Sequence, residues 1–504
     1  MKTLSAAAAS AALLAAFAPS STLADTRKCP DPVPLQIPTP DVVSPWAKLV
    51  PDEVCIPEPM RPPMNLAYFD DYSWRAFIAL VWPALAGSRG EPDPEGNLEQ
   101  PLPADARPSG PPLVFETYKA EWETFPANDR AMPKGWNDPD DLQAPHSMWT
   151  GLPSACAMQA KPGDFFLAPM TRFGPFENVR QAGVPAYVLV AQNGTLVRYL
   201  AGYNKITYDY ILNTNGGLYL ARNLPKDYDH RLQFPFASVT VKSSWIDLGR
   251  VDEKPKVADP ETYHRRIAWL FDPFVKKEKN GPQCEQHIVG LVGLHIVQKT
   301  PNHPAWVWSS FEHQQTAPER AGSKPLGRPA DTLITCPTPS RPMSPYSLND
   351  DSHLPMDDVP RSYRLQDWDK KPPPCAPPPV NIERTRGIND STTATNKVWR
   401  GQLRENGSVW QYYRLVLTQW STARSCPNWG CGDPGFTVPG NGTLPTSAVA
   451  NVTMETWLQD DLSIASRQRG APPPGCMACH NKVANSKFTG NLDFVFSLRI
   501  NAYP

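Results

Sequence analysis

Residues 187–199 read Tyr-Val-Leu-Val-Ala-Gln-Asn-Gly-Thr-Leu-Val-Arg-Tyr. Two apolar runs, Tyr187–Ala191 and Thr195–Tyr199, flank the dipeptide Asn193-Gly194. Asn-Gly between such runs is the strongest short-range signal for a β-hairpin, because both residues tolerate the positive φ that a tight two-residue turn needs. The stretch therefore predicts antiparallel strands and a fold built around a sheet.

Further strand signals follow this stretch along the chain. Apolar or alternating runs occupy residues 237–245, 265–271, 287–297 and 305–311. Short runs of this kind, bounded by turn-forming residues, are typical of β-rich proteins. They extend the predicted sheet well beyond the hairpin.

Helical periodicity appears on either side of these runs. In residues 64–86, Trp74, Phe77, Ile78 and Val81 recur at spacings of three to four, which predicts an amphipathic helix that ends before Pro83. Residues 446–460 show a similar pattern and are also predicted to be helical. The predicted fold class is α+β and β-rich, a large body with peripheral helices and long proline-rich loops.

Proline is the unusual feature of the composition. The chain has 60 prolines in 504 residues, about 12%, against an average near 5%. Each proline removes a backbone donor and clashes with the preceding helical turn, so a mostly helical protein is excluded. We expect a signal peptide over 1–24, a proline-rich arm over 25–63, the body over 64–445 with a proline-rich loop over 316–380, and a carboxyl-terminal segment over 446–504.

The charge balance is close to neutral. Lys and Arg number 49 and Asp and Glu number 50, a formal net charge of −1. A general nucleic-acid binder needs a basic excess to neutralise phosphates, so no nucleic-acid partner is expected.

The amino terminus carries an export signal. Lys2 precedes an uncharged, Ala- and Leu-rich stretch that ends in Thr22-Leu23-Ala24, a pattern typical of a secretory signal peptide cut after Ala24. An uncleaved membrane anchor is the alternative. No other apolar run approaches the roughly 20 residues that a membrane span requires. The mature protein is therefore expected in the periplasm or outside the cell, with no integral membrane span.

Ten cysteines in an exported chain indicate disulfides, a metal or a cofactor. Two belong to the motif described next, and the other eight allow up to four disulfide bridges. The shortest local pairings would join Cys29 to Cys55 and Cys426 to Cys431. Cys336 and Cys375 would fasten the loop over 316–380, although sequence alone leaves the connectivity open.

Residues 476–480 read Cys-Met-Ala-Cys-His, the C-x-x-C-H signature of covalent c-type haem attachment. Cys476 and Cys479 would each add to a haem vinyl group, and His480 would be the proximal iron ligand. This composition yields roughly 0.004 such matches by chance. The predicted cofactor is one covalently attached haem c near the carboxyl terminus.

The motif allows three other interpretations. A thioredoxin-like redox pair requires a βαβ setting, whereas Pro472-Pro-Pro-Gly precedes the motif. A zinc site could include Cys426 and Cys431 but would leave the adjacent histidine unexplained. A plain disulfide between Cys476 and Cys479 is the third.

The position of the motif restricts the second axial ligand. Only 24 residues follow His480, and none is methionine, so a sixth ligand would come from before residue 476. The candidates are Met454, His295 and His313. The alternatives are an ordinary core methionine and histidines with structural partners. A histidine over an open iron face would instead be a distal acid–base group.

Several segments resemble a group of largely uncharacterised exported bacterial monohaem c-type cytochrome-like proteins. They are FDDYSWRAFIALVWP at 69–83, VKSSW at 241–245, GLHIVQKTP at 293–301, WVWSSFEH at 306–313, METWL at 454–458, CMACH at 476–480 and DFVF at 493–496. The resemblance covers most of the mature chain and implies a shared scaffold. It supplies no substrate.

Three functions remain open at this point. The first is an exported monohaem cytochrome in electron transfer, with a redox partner protein. The second is a haem-dependent oxidoreductase (peroxidase, oxidase or oxygenase) with a small-molecule substrate pocket in the large body. The third is a disulfide-stapled exported binding protein in which C-x-x-C-H is incidental.

Overall fold

The structure of the chain is a computed structural model. It describes residues 66–125, 132–138, 161, 163–167, 187–225, 232–271, 284–300, 303, 305–319, 344–349, 363–364, 379–384, 386–421, 443–444, 449–456, 476, 480, 492–493, 495 and 497–498. The predicted signal peptide, the arm over 25–63 and most of the loop over 316–380 lie outside these residues. So do Cys29, Cys55, Cys336, Cys375, Cys426, Cys431 and Cys479.

The described elements alternate between short helices and strands. The helices are α1 (Leu66–Leu80), α2 (Glu121–Thr124), α3 (Lys205–Asn213) and α4 (Asp390–Glu405). The strands are β1 (Lys119–Ala120), β2 (Phe165–Phe166), β3 (Tyr187–Val188), β4 (Arg198–Tyr203), β5 (Val239–Arg250), β6 (Arg265–Phe271), β7 (Cys284–Gln298), β8 (Val307–His313), β9 (Tyr363–Arg364), β10 (Tyr413–Ser421) and β11 (Thr443–Leu444).

One large mixed sheet organises the molecule. Its order is β1-β4-β5-β7-β8-β10-β11, and β6 pairs with the first half of β7 and, in parallel, with β2. Strand β7 is central, because β5 pairs along one edge while β6 and β8 share the other. The four runs predicted downstream of the hairpin correspond to β5, β6, β7 and β8. The α+β fold class is confirmed.

A turn forms at Asn193-Gly194, but it is a three-residue loop rather than a two-residue turn, and its two arms separate. Of the pair, Gly194 alone has a positive φ, 81°; its N–H donates to the Ala191 carbonyl at 2.9 Å, and Ala191 N donates to the Thr195 carbonyl at 2.8 Å. Beyond an isolated bridge between Val190 and Leu196, strand β3 pairs with β9 and β4 pairs with β5. Because both arms are buried, each takes a different long-range partner and the hairpin ladder stays short.

Helices α1 and α4 cover one face of the sheet, here called the helix face. The periodicity predicted helix α1. The ring centroid of its Phe77 lies 4.3 Å from that of Phe311 in β8. The ring of Trp74 stacks on Trp399 of α4, with their centroids 5.8 Å apart. The Ser73 hydroxyl lies 2.7 Å from that of Ser309. The side chains of Ser309 and Phe311 in β8 therefore point to the helix face.

Residues 449–456 cover the opposite face, here called the turn face. The helix predicted over 446–460 is wrong for these residues, which form turns. The Asn451 side chain accepts from Thr453 N at 2.9 Å and Oγ1 at 2.7 Å, and it donates to the Phe311 carbonyl at 2.8 Å. Asparagine bonded to its own local backbone competes with helix formation, which explains the difference.

Within the described ranges, no helix combines the length and apolar character that crossing a bilayer requires.

Candidate functional site

The middle of the turn face presents a partly exposed patch. Across the sheet, Lys242 of β5 lies opposite His295 of β7, which lies opposite Ser310 of β8. In the next row, Val297 lies between Thr240 and Trp308. Because successive strand residues point to opposite faces, all six share one face. We call these residues the central patch: Thr240, Lys242, His295, Val297, Trp308 and Ser310.

Burial distinguishes the central patch from the helix face. Lys242, His295 and Val297 are half-buried, whereas Leu294 and Ile296, which alternate with them, are fully buried. The half of the patch on β5 and β7 is therefore partly exposed, whereas Trp308 and Ser310 of β8 are buried.

Described segments flank the central patch on two sides. On one side, Thr453 Oγ1 lies 2.7 Å from the Ser244 hydroxyl, so residues 449–456 rest on the row beside His295. On the other side, the Asp493 carboxylate forms a buried ion pair with the Lys299 ammonium, just after the end of β7. The Asp493 carbonyl also accepts from the Trp306 indole at 3.1 Å. The chain on both sides of the C-x-x-C-H motif is thus anchored to the sheet.

The motif meets the sheet at the central patch. The His480 ring centroid lies 4.2 Å from that of Trp308. Cys476 is half-buried and packs against the cluster formed by Val416 and Leu417 of β10. Leu417 lies opposite Ser310, so Cys476 and His480 contact the turn face that carries His295. Residues 477–479, including Cys479, lie outside the described residues.

His295 has an unsatisfied ring nitrogen. Its Nε2 is buried and has no hydrogen-bond partner. Glu455 Oε1 lies 2.9 Å from this nitrogen, an ion-pair distance. The other carboxylate oxygen of Glu455 accepts from Asn451 N at 3.0 Å. The turns over 449–456 therefore hold a carboxylate against the imidazole nitrogen of His295.

Met454 and His313 are placed differently. Met454 is fully buried in an apolar cluster that includes Tyr199 and Val292, as a core methionine would be. His313 Nε2 lies 3.1 Å from the Thr262 carbonyl, and its Nδ1 accepts from Gln315 N at 3.2 Å. Burial lowers the pKa of His313 to about 3, which keeps the ring neutral. Of the three candidate sixth ligands, His295 is the one on the central patch, where its Nε2 lies against the Glu455 carboxylate.

A buried ion cluster fastens the turns to the sheet. Glu312 of β8 forms two ion pairs. Its Oε2 pairs with Arg384, and its Oε1 pairs with Arg414 at 2.9 Å. The Arg384 guanidinium also donates to the Ala450 carbonyl at 2.7 Å, and Glu312 Oε2 accepts from Val452 N at 3.3 Å. This cluster positions the segment that brings Glu455 to His295.

A second titratable cluster lies on the helix face. His264 is buried between the carboxylates of Glu99 and Glu116, with its Nε2 3.0 Å from Glu116 Oε1. The rings of Trp245 and Trp410 flank it at 5.8 and 5.2 Å. Burial alone would lower the His264 pKa, but the two carboxylates outweigh it and raise the pKa to about 9. Sequence reasoning missed this cluster because its members are separated by up to 165 residues.

The charged His264 is expected to stabilise the fold in a pH-dependent way. Its folded pKa is raised, so its contribution is complete below pH 6.5 and disappears as the pH rises through about 9. By linkage, this rise in pKa corresponds to on the order of 3 kcal/mol. Urea unfolding of the full chain at about pH 6 and about pH 10 should show that His264→Gln loses most of its stability deficit at the higher pH.

His287 provides the matched control for this measurement. It also contacts a carboxylate, Asp247 at 2.8 Å, but it is 19% exposed. His287→Gln should cost little at either pH, because partly exposed ion pairs contribute little. A deficit in His264→Gln that is equal at both pH values would contradict a charged His264.

A cleft of about 410 Å³ opens on the other side of the same strands. Its lining includes Leu200 and Gly202 of β4 together with Val241 and Ser243 of β5. Val241 and Ser243 alternate with Lys242 along β5, and Gly202 and Leu200 lie opposite them on β4. All four therefore belong to the helix face. The sheet separates this cleft from the central patch.

The chain was also compared with known proteins. No protein-family model, no curated protein sequence and no solved structure matches it. The functional assignment therefore rests on the residues and their arrangement.

Proposed function

We propose that the protein is an exported monohaem c-type cytochrome that transfers electrons, working in the periplasm or outside the cell. Cys476 and Cys479 would hold the haem through thioether bonds, and His480 would bind its iron. The group would supply one-electron redox chemistry, with a potential set by axial ligation, burial and nearby charge. The resemblance to exported monohaem cytochrome-like proteins agrees with this proposal.

The observation that carries the proposal is that His480 packs on Trp308 of the central patch while Cys476 packs against the neighbouring strand β10. A haem needs an apolar wall, and Trp308 and Val297 provide one on the turn face. It also carries two anionic propionates, and Lys242 lies on the same patch as a cation. The residues present thus fit a covalently attached haem.

The oxidoreductase alternative would require substrate access to the haem. The cleft of about 410 Å³ lies on the helix face, with the sheet between it and the central patch. A substrate bound there would not reach a group on the turn face. This separation favours electron transfer over substrate oxidation in that cleft.

The test is to purify the protein from a host able to attach c-type haem. We expect a haem stain that survives denaturing electrophoresis and a pyridine haemochrome spectrum equivalent to one haem per chain. A low-spin ferric spectrum would support electron transfer, whereas a high-spin form that readily binds peroxide, cyanide or CO would support the oxidoreductase alternative. Protein without haem from such a host would contradict both and leave the binding-protein interpretation.

A further inference from the structure

We propose that the cleft on the helix face binds a small aromatic carboxylate, whose acid group pairs with Arg266 and whose ring lies against Phe115 and Phe165. This site goes beyond the proposed electron transfer, because the sheet lies between the cleft and the central patch. It requires neither haem nor any residue of the C-x-x-C-H motif.

The first argument is space. The cleft has a volume of about 410 Å³. Pockets that bind small molecules have volumes of about 300–1,000 Å³ and combine apolar walls with a few polar groups. The lining here has the same composition, because it includes both phenylalanines of β2 together with Arg266 of β6. An acid with one or two rings fits within this volume.

The second argument is the aromatic wall. Phe115 lies in a short helical turn, Val114–Thr117, and its ring centroid is 6.4 Å from that of Trp245. Phe165 approaches the same indole edge-on, with the centroids 5.2 Å apart. Both phenylalanines line the cleft, and Phe165 is only half-buried. Trp245 thus holds two rings in place, and aromatic rings favour contact with the ring of a ligand.

The third argument is the guanidinium of Arg266. Its Nη1 donates to the Gly110 carbonyl at 3.0 Å, and its Nε lies 3.5 Å from Glu116 Oε2. The Nε is buried, whereas Nη2 is accessible and has no partner among the described residues. Guanidinium donors match the geometry of a carboxylate. Arg266 therefore offers the cleft a cation with donors to spare.

The carboxylates of the lining are already engaged. Each accepts a hydrogen bond from the protein: Glu116, Glu123, Asp138 and Asp164. The two most buried ones also have cationic neighbours, since His264 contacts Glu116 and Lys119 contacts Glu123 at 3.1 Å. A ligand carboxylate would therefore meet Arg266 without displacing its hydrogen bond to Gly110.

The sheet register brings the aromatic wall and the cation together. Phe165 lies opposite Ala268 of β6, and Arg266 is two residues from Ala268 on the same strand and the same face. Strand spacings place the Cα atoms of Phe165 and Arg266 about 8 Å apart. A flat acid can therefore rest its ring on Phe165 while its carboxylate meets Arg266.

The experiment measures the binding of 2-naphthoate and of its neutral isostere 2-naphthamide to the full-length protein by isothermal titration calorimetry. Wild type should bind one 2-naphthoate per chain about tenfold tighter than 2-naphthamide, because charge-assisted hydrogen bonds are the stronger ones. Arg266→Gln should make the two affinities equal, and Arg266→Lys should restore part of the preference. Phe165→Ala should weaken both ligands alike.

Arg250→Gln is the matched control. Arg250 lies on β5 outside the cleft lining and pairs with Glu285 at 2.8 Å, so its loss should leave both affinities unchanged. Circular dichroism identifies any variant that fails to fold.

Two results would overturn this proposal. Folded wild-type protein that binds neither ligand would remove the site. An Arg266→Gln variant that still prefers 2-naphthoate would remove Arg266 as the partner of the carboxylate. The haem stain is measured separately, so failure of this site and failure of the proposed function are distinguishable.

Discussion

Replacing Cys476 and Cys479 together with serine is expected to reduce the haem stain after denaturing electrophoresis to background. Each thiol is proposed to form one thioether bond, so removing both leaves no covalent link to the chain. Serine is close to cysteine in size, and Cys476 is only half-buried, so the fold should persist. The measurement is the stain together with the pyridine haemochrome spectrum of protein from a haem-attaching host.

Variants that lack one of the two cysteines test the same prediction. Cys476→Ala or Cys479→Ala should each retain some haem through the remaining thioether, with a haemochrome band displaced because one vinyl group stays conjugated. Met477→Ala is the matched control, since it alters the motif's interior but leaves both thiols and His480 in place. A stain of wild-type strength in the double serine variant would show that these cysteines do not hold the haem.

The second large effect is expected at Glu312. Its side chain is fully buried, and Arg384 beside it is 1% exposed. Burial alone would raise the Glu312 pKa, but Arg384 and Arg414 outweigh it and hold the pKa below its usual value. Glu312→Gln removes the charge that balances Arg384, and breaking a buried pair in this way costs about 3–5 kcal/mol. Urea unfolding at neutral pH should show a loss of this size.

Glu319→Gln is the matched control for Glu312→Gln. Glu319 contacts the same Arg414 at 2.7 Å, but it is 40% exposed, so its loss should cost at most about 1 kcal/mol. The Glu312→Gln variant should also loosen residues 449–456, because Glu312 accepts from Val452 N. Hydrogen exchange over these residues measures that effect. Equal stability of the two variants would contradict the role of Glu312 as a buried anchor.

The sequence predicts those parts of the fold that local pattern determines. The run 265–271 coincides with β6 because it ends in five consecutive apolar residues, Ile267 to Phe271, with no glycine or proline. The helix expected around Val449 and Val452 does not form over the described residues, because Asn451 bonds its own backbone instead. That competition depends on one side chain, and hydrophobic spacing does not reveal it.

The candidate site was predictable in its motif but not in its surroundings. C-x-x-C-H identifies Cys476, Cys479 and His480 without a structure. The register of His295 against Ser310, and therefore its place near Trp308, is a long-range property of β7 and β8. The partners of the His313 ring, the Thr262 carbonyl and Gln315 N, are likewise determined only by the fold.

The mass of the intact mature chain tests the central claim most directly. Protein exported by a host that attaches c-type haem, then reduced and unfolded, should have the mass of residues 25–504 plus one haem. Fragmentation should place the added mass on the peptide that contains residues 476–480. A mature chain whose mass equals that of the polypeptide alone would contradict the account.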